Sequence, residues 1–199
     1  MRFSEKNFDP DPFRQFDIWY KERTSKVSVY PEASSLATSF SDGRVSVRIV
    51  LLKEYDEAGF VFFTNYNSKK GRQLVENKHA AMLFFWPESE RQVRIEGYVE
   101  KLAGKDSDRY FKSRPRESQI GAWASDQSTV IPDRSFLEKK VGYYTQLYSS
   151  KQVERPPHWG GFRLVPVSFE FWQEGEFRLH DRIFYSRNSN SWEKARLSP

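Results

Sequence analysis

The 199-residue chain contains no cysteine. Disulfides, thiolate nucleophiles and iron–sulfur ligation are therefore excluded. Histidine is scarce as well: His79, His158 and His180 lie far apart, and no ligand-spaced motif surrounds them, so no metal site is expected. No apolar run approaches the ~18 residues of a membrane span. The opening stretch MRFSEKNFDPDPF has no apolar core of the kind a secretory signal needs, and the expected location is the cytoplasm. The sequence also lacks a glycine-rich nucleotide loop, a nucleophile elbow and a paired-carboxylate motif, which leaves acyl transfer and nucleoside-triphosphate chemistry without support.

Aromatic residues, by contrast, make up 17% of the chain, and 17 of them are Phe. They suit a β-rich core, or flat walls beside a planar ligand. Hydrophobic residues account for 38% and charged residues for 30%, with a mean hydropathy of −0.77, a soluble globular composition. A formal net charge of +5 and a pI near 9.3 favour anionic partners. The basic residues are scattered through patterned segments and form no arginine-rich tail. That distribution suits discrete phosphate pockets better than a nucleic-acid-tracking stripe, so neither nucleic acid nor membrane is an expected partner.

The length fits a single domain. In residues 1–33, DPFRQFDIWYKER spaces Phe13, Phe16, Trp19 and Tyr20 as one face of a helix after a DPDP start signal. Residues 34–105 read as strands: SSLATSF and RVSVRIVLLK flank the hairpin signal SDG, followed by GFVFFTN, AAMLFFW and RQVRIEGYVEKL. Between them NSKKGRQLVENK reads as a short helix opened by Asn67 or Ser68. Residues 106–150 read as helices, and 158–199 return to strands. The order predicts an antiparallel β-barrel with helices packed on it.

Several stretches carry candidate chemistry. RVSVRIVLLK places Arg48 and Lys53 five positions apart, which on an ideal strand means opposite faces. Either the strand twists or bulges, or the two cations serve different anions, or they reach to water from the strand ends. TNYNSKKG combines a helix start with Lys69 and Lys70, which is a phosphate cradle or a solvated turn. RYFKSRPRESQIGAWASDQS sets Tyr110 and Arg114 four apart, with Ser118 just beyond and Gln127 and Ser128 further on; a phenol, a guanidinium and a hydroxyl together can hold a phosphate dianion. Trp172 in FEFWQ is core or a wall beside a planar ring. In FRLHDRIF an extended backbone projects Arg178, His180 and Arg182 from one face, either as a convergent cationic row or as solvated edge charges. Together these features suggest one or two phosphorylated aromatic ligands.

RIVLLK, FFTNYNSKKG, RQVRIEG, YFKSRPRESQIGAWASDQS, WGGFRL, EFWQ and RLHDR, in that order, resemble the pyridoxine 5′-phosphate oxidase family from about Asp9 to the closing RLSP. The resemblance implies a homodimeric, Greek-key-like split β-barrel flanked by helices, with FMN at the subunit interface. It also implies oxidation of pyridoxine or pyridoxamine 5′-phosphate to pyridoxal 5′-phosphate, with oxygen as acceptor and hydrogen peroxide as by-product. By the same resemblance, FMN would meet Arg48, Ile49, Val50, Leu51, Phe63, Thr64, Lys69, Lys70, Gln92, Gln127, Ser128, Trp172 and Arg182. The substrate phosphate would meet Lys53, Tyr110, Arg114 and Ser118, and its ring Arg178, Leu179 and His180, with Arg178 and His180 nearest the chemistry. A non-catalytic FMN or pyridoxal-phosphate carrier and another split-barrel flavin reductase are the competing expectations.

Two departures stand out. Lys69 replaces an arginine common in the family's SRK triplet, keeping the charge but losing the planar fork. The upstream arginine and tyrosine that fold over the substrate in many members have no full match: MRFSEKNF offers Arg2 and no tyrosine, so looser closure over the substrate is expected.

Overall fold

The computed structural model describes residues 7–26, 30–189 and 191–199. Arg2 lies outside them. Helix α1 spans Pro12–Lys26, with Asp9 and Asp11 bonding the backbone N–H groups that open it. Its expected apolar face is buried: Phe13, Phe16 and Trp19 sit inside the sheet, with Phe16 ringed edge-on by Tyr55, Phe60 and Phe84. Each such side chain contributes roughly 1.5–3 kcal/mol by leaving water. Truncating Phe16, which is fully enclosed, would cost about 3–5 kcal/mol through the cavity left behind.

The strands are β1 (Ala33–Ser39), β2 (Val45–Leu51), β3 (Glu54–Asp56), β4 (Gly59–Asn65), β5 (His79–Trp86), β6 (Arg91–Lys101), β7 (Trp159–Gln173), β8 (Asp181–Asn188) and β9 (Ser191–Arg196). Helix α2 (Lys69–Glu76) follows β4, and α3 (Gly104–Ser113), α4 (Arg116–Ala124) and α5 (Arg134–Leu147) fill the gap between β6 and β7. Every strand pairing is antiparallel, in the order β2-β1-β5-β6-β7-β4-β3, with β8 and β9 continuing from β7.

Strand β7 explains the curl. Its first half, through Leu164, pairs with β4, and its second half, from Ser168, pairs with β8, while β6 follows it on the other side. A register shift at Glu96/Gly97, opposite Pro166, bends both strands where β7 changes partner. The result is a curled half-barrel filled by Phe60, Phe62, Phe84, Phe162, Phe169 and Phe171, with α3, α4 and α5 around a second cluster built on Phe111, Ile120 and Trp159. Among the described residues, no helix is long and apolar enough to cross a membrane.

One expectation about the strands needs correction. FRLHDRIF is not extended throughout: Phe177 and Arg178 have φ of 55° and 62°, forming a tight 3-10 turn, and β8 begins only at Asp181. Two successive left-handed residues break the alternation, so Arg178 does not share a strand face with His180 and Arg182.

Candidate active site

A cleft of about 660 Å³, the principal one here because it gathers most of the predicted site residues, opens where β2 and β4 end and α3 and α4 pack against them; a wider cavity of about 1120 Å³ lies by Leu179 and His180. Ile49, Val50, Leu51 and Lys53 form one wall, Phe63, Thr64 and Lys70 a second, and Tyr110, Arg114, Ser118 and Gln127 a third. Residues as far apart in sequence as Ile49 and Trp159 thus meet in one cleft, and they include most of the motifs singled out above.

The turn after β4 places Lys70. Asn65 Oδ1 accepts from the Asn67 N–H at 2.8 Å, while Ser68 Oγ donates to the Asn65 carbonyl at 2.7 Å and accepts from the Gly71 N–H at 3.2 Å. Gly71 has to be glycine, since a Cβ there would lie 2.2 Å from the Tyr66 carbonyl oxygen. Pinned in this way, Lys70 turns back over β4 and donates to Thr64 Oγ1 at 3.1 Å and Gln127 Oε1 at 3.4 Å. Burial first, and the Arg48 charge second, push its pKa down to about 8. Arg48 projects from β2 on the side of Ser46 and Val50, donating to the Leu36 carbonyl at 3.0 Å, Thr38 Oγ1 at 2.6 Å and Gln73 Oε1 at 3.3 Å. Burial lowers its pKa too. Among the described residues Arg48 and Lys70 thus crowd together with only neutral partners, which suits an anion.

The third wall is aromatic and cationic. Tyr110 stacks on Phe63 with centroids 3.9 Å apart, and Phe63 stacks on Trp159 at 5.4 Å. Arg114 sits just past the end of α3, where Pro115 restarts the chain, and its guanidinium lies 4.6 Å over the Trp159 ring. Its Nη1 is buried with no hydrogen-bond partner, and burial lowers the pKa of the group. A buried guanidinium with an unsatisfied N–H beside a phenol and a hydroxyl fits a phosphate oxygen.

The Arg48 and Lys53 puzzle resolves simply. Strand β2 stops at Leu51, so Lys53 lies beyond it and is free to enter the cleft although Arg48 points under α2. Lys53 Nζ meets Glu32 Oε1 at 3.3 Å.

A second cavity, about 320 Å³, is lined by Gln92, Arg94, Glu170, Trp172, His180 and Arg182 with Leu83 and Pro199. Sheet register builds it: Gln92 faces Trp172 across β6 and β7, and Trp172 faces Arg182 across β7 and β8. Glu170 is only 5% exposed yet carries a carboxylate. It accepts from Arg182 Nε at 2.7 Å and from Arg94 Nη2. The Glu170 bond raises the Arg182 pKa further. His180 lies 4.6 Å from the Trp172 ring, and its Nδ1 accepts from the Gly175 N–H at 3.3 Å.

The expected site residues therefore divide. Ile49, Val50, Leu51, Lys53, Phe63, Thr64, Lys70, Tyr110, Arg114, Ser118 and Gln127 meet in the principal cleft, and Gln92, Trp172, His180 and Arg182 in the second cavity. The two linings share no residue. Arg48 stands behind Lys70, Lys69 is exposed, Ser128 lines a neighbouring cavity of about 150 Å³ with φ of 69°, and Arg178 and Leu179 are exposed on the turn before β8. Sequence reasoning missed Trp159, Gln73, Glu32 and Glu170. Only Glu170 carried a usable signal, as a carboxylate inside the aromatic run SFEFW.

Fold and clefts together define a curled split-barrel protein whose principal cleft gathers cations beside stacked aromatic rings. Residues 23–148 match the pyridoxamine 5′-phosphate oxidase family, and residues 159–199 match the pyridoxine 5′-phosphate oxidase C-terminal dimerisation region. The chain belongs to the pyridoxamine 5′-phosphate oxidase family, a family of oxidoreductases. It is 50% identical over 197 residues to a pyridoxine/pyridoxamine 5′-phosphate oxidase of Trichormus variabilis, covering 98% of this chain and 92% of that one. Its identity to the protein of the same name from Burkholderia multivorans is 53% over 198 residues, with the same two coverages. Among solved structures, PhzG of Burkholderia lata in complex with tetrahydrophenazine-1-carboxylic acid superposes with a TM-score of 0.92 at 32% identity, covering 100% of this chain and 98% of PhzG. A pyridoxamine 5′-phosphate oxidase-related, FMN-binding protein of Nostoc punctiforme shares the fold, with a TM-score of 0.74 at 19% identity over 95% of this chain and 98% of that one.

Proposed function

We propose that this protein oxidises pyridoxine and pyridoxamine 5′-phosphate to pyridoxal 5′-phosphate, with oxygen as acceptor and hydrogen peroxide as by-product. FMN is the cofactor. The observation that carries the reading is Arg114, which lines a cleft shared with Lys53, Tyr110 and Ser118 and whose Nη1 is buried with no hydrogen-bond partner among the described residues. These four residues hold the substrate phosphate. Lys70, backed by Arg48 and oriented by Thr64 and Gln127, holds the anionic end of FMN, while the β2 backbone at Ile49, Val50 and Leu51 and the Phe63 ring line its bed. The exposed Lys69 and Ser128 border that site.

When bound, FMN would supply the hydride acceptor and the route for the electrons to oxygen. The chain's own work is placement and charge: the cations fix the phosphate at one end, so the carbon to be oxidised lies at a set depth. Gln92, Trp172 and Arg182 flank the flavin, and His180 and Arg178, with Leu179, orient the pyridine ring. No side chain has to act as an obligatory general base.

The two linings share no residue, and on this reading a complete site joins the principal cleft of one subunit to the second cavity of the other. The outer face of β2 supports a homodimer: Val45, Val47 and Ile49 are 77%, 69% and 62% exposed, and Ile49 also borders the principal cleft. A row of β-branched side chains on an edge strand calls for cover. Oxidation of a tricyclic carboxylate such as the one bound to PhzG is the second reading. The group of Lys53, Arg114, Tyr110 and Ser118 favours a phosphate dianion over it.

The test is an anaerobic titration of the yellow protein with pyridoxine 5′-phosphate, followed by air. Bleaching, recovery with oxygen and appearance of pyridoxal 5′-phosphate are expected. A flavin that binds but never bleaches with either phosphorylated vitamer would leave a carrier, another flavin reductase or a PhzG-like activity.

A further inference from the structure

Lys53 differs from the other cations around the principal cleft. Arg48, Lys70 and Arg114 have neutral partners or none, whereas Lys53 meets a carboxylate, Glu32 Oε1, at 3.3 Å. Both side chains are about three-quarters buried, at 26% and 24% exposure, so solvent screens the pair only in part.

The Glu32 backbone is fixed independently of that contact. The Leu52 N–H donates to the Glu32 carbonyl at 2.9 Å, and the Ala33 N–H closes a turn onto the Tyr30 carbonyl at 3.0 Å. Ala33 then starts β1 in register with Leu51. Glu32 and Lys53 are thus carried on two backbone segments bonded to each other, which keeps the carboxylate within reach of Lys53. Its charge is also felt at Tyr20, whose pKa is raised by burial first and by Glu32 second.

We propose that Glu32 competes with the substrate's phosphate for Lys53 and so sets how tightly phosphorylated ligand is held. A phosphate dianion can take Lys53 only by sharing it with, or displacing, a neighbouring carboxylate of the same sign. The ammonium has three N–H donors, so it can bond both, but like-charge repulsion between the carboxylate and the dianion weakens the hold. Loose retention of a phosphorylated product follows from the same contact. The inference rests on the proposed function, since it takes the ligand of this cleft to be a phosphorylated pyridine.

The test uses the FMN-loaded protein and equilibrium dialysis with the oxidation product, pyridoxal 5′-phosphate, and with unphosphorylated pyridoxal as control. Glu32→Gln is expected to tighten pyridoxal 5′-phosphate roughly fivefold and leave pyridoxal unchanged, as removal of one part-buried like charge implies. In a Lys53→Met background the gain from Glu32→Gln is expected to fall below about twofold, because the lysine that draws carboxylate and phosphate together is gone; an undiminished gain would show direct repulsion without competition and overturn the proposal. Unchanged or weaker pyridoxal 5′-phosphate binding by a folded, flavin-loaded Glu32→Gln variant would overturn the proposal and show that Glu32 only props Lys53. If the unsubstituted protein itself does not prefer pyridoxal 5′-phosphate to pyridoxal, the proposed function falls and this inference with it.

Discussion

The two cavities handle positive charge in opposite ways. Around the principal cleft, Arg48, Lys70 and Arg114 are buried or half-buried without a carboxylate, their pKa values lowered by burial. In the second cavity Arg182 and Arg94 close on Glu170, and the Arg182 pKa rises. An uncompensated cation is costly to bury and signals a site that takes charge from a ligand; a compensated one is held by the protein and serves to present an oriented donor. On the proposed function, the first cavity takes a dianion and the second the polar edge and face of a ring. Glu32 is the exception that makes Lys53 informative.

Several substitutions would sharpen or break this contrast. Arg114→Met should have the largest effect. KM for pyridoxine 5′-phosphate is expected to rise roughly 50-fold through loss of a charged hydrogen bond. The Tm should not fall, because the substitution removes a buried, unsatisfied group. A large drop in Tm with unchanged KM would mean that Arg114 is structural.

Glu170→Gln tests the compensated side. Breaking a buried pair costs about 3–5 kcal/mol. Arg94 is 46% and Arg182 25% exposed, so screening reduces the expected loss to about 2 kcal/mol in denaturant unfolding. Flavin affinity should weaken about tenfold as Arg182 loses its anchor. Unchanged stability would show that Glu170 does not compensate the two guanidiniums.

The pH dependence of Lys70 separates protein from ligand. In the cofactor-free protein the pKa is lowered from 10.5 to about 8, so between those values the unfolded chain holds more protons and stability should rise with pH. FMN binding requires the charged ammonium, so affinity should be flat below pH 8 and fall several-fold per unit above it. The two slopes have opposite signs, and titration of both on Lys70→Met should abolish both.

The smallest effect is expected from Lys69→Arg, which restores a planar fork at an exposed position. FMN affinity should tighten about twofold by flavin fluorescence. A large gain would mean that Lys69 reaches the cofactor more directly than its exposure suggests.

Much of this was legible in the sequence. The spacing of Phe13, Phe16 and Trp19 gave the helix that fills the half-barrel, SDG gave the hairpin at Gly43, and Ser68 capped α2 as expected. Local backbone chemistry fixes such features, and local chemistry is readable in a window of ten residues. Tyr110, Arg114 and Ser118 were legible for the same reason, lying within one turn of helix ends. What failed was assuming one regular conformation across FRLHDRIF, where two left-handed residues of ordinary type, Phe177 and Arg178, turn the chain. Glu32, Gln73 and Glu170 stayed hidden because their roles arise from sheet register: Glu170 is defined by Arg94 and Arg182, 76 and 12 residues away. No window of sequence holds all three.

The central claim is that a complete site joins the principal cleft of one subunit to the second cavity of another. It is tested most directly by mixing two variants, Arg114→Met and a His180→Ala/Arg182→Ala double variant, under conditions that exchange subunits, with activity read at a substrate concentration well below the raised KM so that each variant alone contributes little. Random pairing makes about half of the dimers mixed, each with one doubly impaired site and one intact site. About a quarter of the unsubstituted activity is expected to return. No recovery from mixed dimers confirmed by mass would contradict the claim and place each working site within a single subunit.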